Sequence, residues 1–454
     1  MPRYVKLNLA GWGNYAASDA RVYRPEKLSE VREIVAADLS NDARTDVIAR
    51  GLGRSYGDSA TNAGGSVLLG VRLDHLIDFD ESTGVVEAEG GVSFDTLIQI
   101  FLPRGYFLPV TPGTRYVTLG GAIAADVHGK NHHVDGTIGN FVESLRLMIA
   151  GGDVVTCSPA DNPDLFWATI GGMGLTGVIL SARLRLIPVS SAYVDVEYRR
   201  AEDLDRALAM FEQGTARKYS VAWIDCLAVG PCLGRCVIME ADHLPPDKLP
   251  AKLQKAPLKL PKKRQKSLPR FLPSFLLNRW TVRWFNKLYY FRHSDARKVV
   301  DLDTWFYPLD AIRDWNRIYG KRGFVQYQAL FPAHTAKAGL RELLEKIAAS
   351  RSASFLAVLK RTGEQGKGML SFPFPGYTLA LDLKAGKHLQ PLVQALDEIL
   401  LRHRGRLYLA KDTLMSPETF AAMYPRLNEF RAVKQLIDPA GRFSSTQSRR
   451  LGIS

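Results

Sequence analysis

Three glycine-rich loops in the first 180 residues constrain the fold of this chain more than any other feature. The first, Arg50-Gly51-Leu52-Gly53-Arg54-Ser55-Tyr56-Gly57-Asp58, follows the β-rich run Asp46–Arg50. Without a Cβ, successive glycines let backbone N–H groups converge on an anion. The spacing is not the dinucleotide fingerprint GxGxxG, because the third glycine comes one residue late and no helical pattern follows. It is not a P-loop either, since GK[ST] is missing. Alone, such a loop is a tight turn more often than a phosphate cradle. The second begins at Pro112-Gly113-Thr114 and runs through Thr118-Leu119-Gly120-Gly121-Ala122-Ile123-Ala124-Ala125 into Asp126-Val127-His128-Gly129-Lys130-Asn131-His132-His133. The third, Gly171-Gly172-Met173-Gly174-Leu175-Thr176-Gly177, precedes a strand. Three such loops together suit an extended ligand with a pyrophosphate and a flat ring system.

At 454 residues the chain exceeds the roughly 250–300 at which single cores stop growing, so two domains are expected. Around the loops, short strands (Val85–Ala88, Leu145–Ala150, Val154–Cys157, Gly177–Pro188) mix with helices at Phe94–Phe101 and Pro163–Ile170. Gly151-Gly152-Asp153 is a hairpin signal. From about Ser191 helical patterns at Leu204–Phe211, Leu309–Tyr319, Thr335–Ser350 and Lys387–His403 alternate with strands at Gly323–Leu330 and Tyr377–Leu383. The expectation is an α+β protein: a ligand domain over 1–190 completed by 405–454, and a second domain over 191–404. The Pro- and Lys-rich stretch 245–273 reads as a mobile surface loop.

Cys226, Cys232 and Cys236 lack metal-ligand spacing and read as small buried residues on a strand pair, in a reducing compartment. His128 and His132 are four apart, as on one helix face, but no nearby carboxylate completes a ligand set. The N-terminus has no signal-peptide core and no window approaches a membrane span, so a cytoplasmic location is expected. The net charge of +14 is uneven: thirteen Lys or Arg and no acid lie between Lys248 and Ser294.

In the order RGxGRSYGD, PGTRxVTxGGAIAxDxHGKNHH, FWATxGGxGLTG, the loops resemble the FAD domain of the vanillyl-alcohol-oxidase-type (PCMH-type) flavoproteins. Within that superfamily the chain is similar, over essentially its whole length, to the decaprenylphosphoryl-β-D-ribose 2′-oxidase family, the flavin half of an epimerase pair that makes an arabinose donor. Trp223, Pro308–Asp310, Gly323–Gln328, Ser371–Pro373, Leu407–Asp412 and Tyr424–Arg426 extend the match. The resemblance implies that Arg50 and Gly51 to Asp58 hold the FAD pyrophosphate. It implies that Gly113, Thr118, Leu119, Gly120, Gly121, Ala125 and His128 line the cofactor, with Ile179 near the adenine and Tyr408 near the isoalloxazine. Many sugar-oxidising relatives link flavin to a histidine where Arg54 stands; arginine cannot form that bond, so FAD is expected to dissociate.

Oxidising an alcohol with flavin needs a hydride acceptor, an acceptor for the hydroxyl proton, and fixed geometry. At matching family positions, Lys411, Tyr56, Lys130 and His128 are the catalytic candidates. A lysine can stabilise negative charge or, when neutral, take a proton. From spacing alone Lys411 reads rather as a surface lysine paired with Asp412, and it is the resemblance that makes it a catalytic candidate. Gln328, Lys360, Gln326, Trp223, Thr378 and Ala380 are the implied substrate residues. Ala380 stands where the family typically has cysteine, and Thr378 replaces an asparagine, so sugar and lipid identity are the properties these changes touch. The implied partners are a polyprenyl-phosphate sugar and an NAD(P)H-dependent short-chain reductase, with no nucleic acid. Segment 248–294 mixes its cations with Phe271, Leu272, Phe275, Leu276, Leu277, Trp280, Trp284, Phe285, Tyr289 and Tyr290. That composition fits a membrane surface, a solvated loop plus core helix, or, less specifically, a nucleic-acid surface. Free-sugar or aldonolactone oxidation and a non-catalytic FAD-binding subunit are the other functional readings.

Overall fold

A computed structural model describes residues 3–37, 46–213, 217–268, 271, 278–350, 352, 354 and 356–453. A four-stranded sheet opens the chain, in the order Tyr4–Leu9, Ser18–Tyr23, Ser66–Leu69, Val47–Arg50. The helix Leu28–Ala36 buries Val31, Ile34 and Val35, one helical face, in a cluster with Val47 and Leu68. A five-stranded antiparallel sheet follows, ordered Leu76–Asp80, Val85–Glu89, Val178–Arg185, Val142–Met148, Val154–Cys157. The hairpin between its last two strands turns at Gly151 and Gly152, whose φ angles are +90° and +91°.

The C-terminal chain returns to this region. Phe443 bridges to Val47, Arg442 donates to the carbonyls of Ile34 and Val35, and Thr446 N–H donates to Thr61 O (2.9 Å). Between these segments runs an eight-stranded sheet, ordered Ala296–Asp301, Tyr193–Ala201, Cys236–His243, Tyr219–Ile224, Ala357–Thr362, Gly376–Lys384, Phe324–Pro332, Arg406–Leu407, with every pairing antiparallel. The helix Ala333–Ser350 packs on Phe324–Pro332 and Gly376–Lys384 through Leu340, Leu343 and Leu344. The helix Leu389–Arg402 also lies against Phe324–Pro332. These two strands are therefore almost wholly buried.

Several expectations need correction. Residues 309–319 form no continuous helix. Asp314 adopts a left-handed φ of +56° and splits the segment into the 3-10 turns Pro308–Ala311 and Trp315–Tyr319. The described part of 245–273 is pinned rather than loose: Ala192 N–H donates to Pro257 O (2.8 Å), and Lys263 pairs with Asp301 (2.5 Å). Leu249 is buried there, with Leu253 and Leu258 against the core. Arg270, Leu272, Phe275, Leu276 and Leu277 lie outside the described residues. Cys226 and Cys236 are buried but Cys232 is exposed, because it sits on the turn Gly230–Cys232 and not on a strand. His128 precedes the short helix His132–Asp135 and bridges to Thr137, so the two histidines do not share a helix face.

Candidate active site

All three glycine loops border one cavity of about 720 Å³, which continues between the five-stranded region and the face of the eight-stranded sheet opposite its helices. Gly53, at φ +64°, turns the first loop back over Arg50. The Arg50 guanidinium braces the turn by donating to Ala10 O (2.8 Å) and Ala60 O (3.0 Å). Arg50 to Tyr56 all reach the cavity wall. Gly57 and Asp58, expected to hold pyrophosphate, do not. A Cβ on Gly57 would lie 1.8 Å from the Asp412 carbonyl oxygen, and Asp58 turns away to pair with Arg450 (2.8 Å). In the second loop the Thr118 hydroxyl accepts from Gly121 N–H (3.2 Å) and caps the helix Leu119–Ala124. Gly113, Thr118, Gly120, Gly121 and Ala125 line the cavity, whereas Leu119 points into the core. The third loop is tied to the second where Met173 N–H donates to Ala124 O (2.8 Å), and it brings Ile179 to the wall.

The wall is suited to an extended ligand rich in hydrogen-bonding groups. A Cβ on Gly113 would meet nothing within 4 Å, so the loop leaves room there for a close approach. Ser59 Oγ and His128 Nδ1 are buried on residues lining the cavity and have no protein partner among the described residues. Buried polar atoms are normally satisfied, so such atoms mark where a ligand bonds. Arg54 places its guanidinium 4.1 Å from the centre of the Trp12 ring, with no nucleophile for a flavin link.

The sheet supplies the opposite wall. Residues directly paired across antiparallel strands share one face, and the register sets Gln328 opposite Ala380, Ala380 opposite Val358, and Val358 opposite Trp223. Two residues along, on the same face, stand Gln326 and Lys360. Thr378, on the same face opposite Lys360, is fully buried, and its hydroxyl accepts from Gln328 Nε2 (3.3 Å). Gln328 Nε2 also donates to His128 Nε2 (3.0 Å), so the neutral imidazole carries its proton on Nδ1. Burial, then Lys360, hold His128 well below the usual histidine range. The Tyr408 hydroxyl donates to Ala125 O (2.7 Å), and its ring stacks on Phe372 at 4.9 Å.

Lys411 is no surface lysine paired with Asp412. Its Nζ lies 3.7 Å from the centre of the Tyr56 ring, facing the cavity, while Asp412 turns onto Arg450 (2.8 Å). Lys130 Nζ sits 3.9 Å from the Trp305 ring centre and donates to Trp305 O. Burial lowers Lys411 and Lys130 to about 7 and Lys360 to about 8. Near neutral pH these amines therefore exchange protons readily. Burial also raises the Tyr56 hydroxyl well above its ordinary range, so it stays protonated. The sequence reading missed Asp382, which is fully buried beside this cluster. It accepts from Gln326 Nε2 (2.7 Å) and the Tyr319 hydroxyl (2.8 Å), and burial raises it to about 7. Its place two residues after Ala380 on one strand was the available signal. Phe285, Tyr289 and Met239 also line the cavity and were not anticipated as wall residues.

Residues 20–158 match the family model described as an FAD binding domain, and residues 331–451 match the D-arabinono-1,4-lactone oxidase model. The chain is 41% identical to the decaprenylphosphoryl-β-D-ribose oxidase of Mycolicibacterium smegmatis, over 98% of this chain and 97% of that one. It is 27% identical to a putative D-arabinono-1,4-lactone oxidase of Neurospora crassa, over 52% of this chain and 41% of that one. With the L-gulonolactone oxidase of Mus musculus it shares 29% identity over 41% of each chain.

Proposed function

The chain belongs to the decaprenylphosphoryl-β-D-ribose oxidase family of FAD-dependent oxidoreductases, and from that premise we propose that it oxidises the ribose 2′-hydroxyl of a polyprenyl-phosphate ribose to the 2′-ketone. The observation that carries this reading is the convergence of Lys411, Tyr56, Gln328, Lys360 and His128 on one cavity that the three glycine loops also line. FAD, when bound, supplies the hydride acceptor. The glycine loops hold it, non-covalently because Arg54 replaces the linking histidine.

The chain's own groups do the rest. Gln328, oriented by His128 and Thr378, and Lys360 hold the sugar against the sheet. Neutral Lys411 takes the hydroxyl proton and thereby becomes a cation on the cavity wall, where it would offset negative charge on a reduced cofactor. The aromatic pairs Lys411–Tyr56 and Lys130–Trp305 restrict both amines to the cavity side.

The product ketone needs a separate reduction to complete epimerisation to the arabinose donor of cell-envelope arabinan, and an NAD(P)H-dependent short-chain reductase is the partner this reading requires. We propose that the protein associates with a membrane surface as a peripheral protein. Among the described residues no helix is long and apolar enough to cross a bilayer. The helix Arg279–Arg292 exposes Trp280, Trp284, Leu288 and Phe291 on one face, flanked by Arg279, Arg283 and Lys287. Aromatic rings entering an interface between cations match an anionic lipid surface. Trp280→Ser with Trp284→Ser is expected to abolish flotation with anionic vesicles while leaving FAD bound; unchanged flotation removes this helix from membrane binding.

The match of residues 331–451 to the lactone-oxidase model favours a second reading, oxidation of a free sugar or lactone. One experiment separates the two: anaerobic flavin absorbance with each candidate substrate. Bleaching by a short-chain polyprenyl-phosphoryl ribose but not by ribose, alditols or gulonolactone, with FAD released on acid precipitation, is the expected result. Bleaching by a free sugar or lactone instead selects the second reading.

A further inference from the structure

The sheet wall changes character along its length. At one end stand Gln328 and Lys360; across the strands from Gln328, in register, come Ala380, Val358 and Trp223, while Val221 sits beside Lys360 on one side and pairs with Met239 on the other. This far arm of the cavity is apolar. Its roof is the inner side of the helix Arg279–Arg292, where Tyr289 packs on Trp223 with ring centres 4.4 Å apart and Phe285 joins the lining. The helix is anchored from within: Val282 is buried, and Asn286, fully buried, donates from Nδ2 to Asp225 Oδ1 (2.7 Å). The face of the same helix that is turned to solvent carries Trp280, Trp284, Leu288 and Phe291.

A cavity with amines and amides at one end and an arm lined by aliphatic and aromatic side chains at the other fits an amphiphile in one orientation. We infer that the arm between Trp223, Val358, Met239 and the helix Arg279–Arg292 is the binding site for the first isoprene units of the substrate's hydrocarbon chain. It rests on the reading of the substrate as a lipid-linked sugar. The headgroup then lies at Gln328 and Lys411, and the chain leaves beneath the helix whose other face is apolar and exposed. Ala380 stands at the junction of the two halves, and its small side chain leaves the passage open where a larger one narrows it.

The test is calorimetric binding of geranyl and farnesyl phosphate, below their micelle concentrations, to the FAD-loaded protein. Burying an additional isoprene unit is expected to tighten binding by about tenfold or more. Val358→Trp fills the arm and removes that gain while leaving the FAD spectrum unchanged. Phe285→Ala, on the half-exposed roof, gives the same direction of change with little risk to folding. A wild-type affinity indifferent to chain length overturns the inference, and so does a gain that survives both substitutions. If chain length does not matter yet polyprenyl-phosphoryl ribose still bleaches the flavin, the arm assignment falls and the activity stands. If the length gain appears and no bleaching follows, the lipid site stands and the activity falls.

Discussion

Replacing Lys411 by methionine is expected to leave FAD bound and to slow anaerobic flavin reduction by roughly three orders of magnitude, within the range for loss of a positioned proton acceptor. Methionine keeps much of the aliphatic packing against Tyr56, so the cavity wall survives and only the amine is lost. Burial lowers this lysine to about 7, which makes the neutral, proton-accepting form grow as pH rises through that value. The wild-type reduction rate should therefore increase across a limb near pH 7, and that limb should be absent in Lys411→Met. Lys411→Arg distinguishes base from bystander cation: a guanidinium retains the charge but does not give up its proton in this range. A slow arginine variant with its FAD intact supports proton acceptance. Rates within tenfold of wild type for Lys411→Met, or an unchanged pH limb, sink the assignment.

The parts of this architecture that were legible in the sequence are those with local causes. The hairpin at Gly151-Gly152 and the helix Phe94–Phe101 are set by turn chemistry and one-sided hydrophobicity. The helix Phe94–Phe101 is also capped by Ser93, whose hydroxyl accepts from Thr96 N–H (2.9 Å). The glycine loops announced a ligand because a backbone open to close approach is visible residue by residue. What could not be read is set by partners distant in sequence. Gly57 looked like part of the cradle, but its missing Cβ makes way for Asp412, some 350 residues later. Lys411 looked like half of a pair with Asp412 until the fold turned their side chains opposite ways. Asp314 broke a good helical pattern because tertiary packing of Trp315 and Tyr319 around Tyr56 and Phe324 outweighed propensity. The stretch 245–268 looked mobile from its composition, yet Leu249, Leu253 and Leu258 give it apolar anchors that the prolines and lysines mask.

Arg450→Met is the substitution expected to cost the fold most, because one guanidinium joins three distant parts of the site. It bonds both Asp58 oxygens (3.1 and 2.8 Å), Asp412 (2.8 Å) and the Met415 carbonyl (2.7 Å). The first glycine loop is thereby locked to the turn that carries Lys411, a junction also sealed by Tyr56 N–H donating to Ala410 O (3.0 Å). Both carboxylates are buried, so removing the cation leaves two uncompensated negative charges, at about 3 kcal/mol or more. Burial already raises Asp58 even with Arg450 in place, and without it Asp58 should rise further. A carboxyl whose folded-state value lies above its unfolded one favours the native state at low pH and loses that advantage as pH climbs through the raised value. The melting deficit of Arg450→Met relative to wild type should therefore be largest near pH 8 and shrink towards pH 5. Adding Asp58→Asn should recover part of the loss at pH 8, because one of the two facing charges is gone. The same loosening should release FAD more readily and slow its reduction, since Lys411 and Tyr56 no longer share a fixed frame. A deficit equal at both pH values, or no recovery in the double variant, would mean that the arginine contributes packing alone and that the charge clamp is not what holds the loop to the catalytic turn.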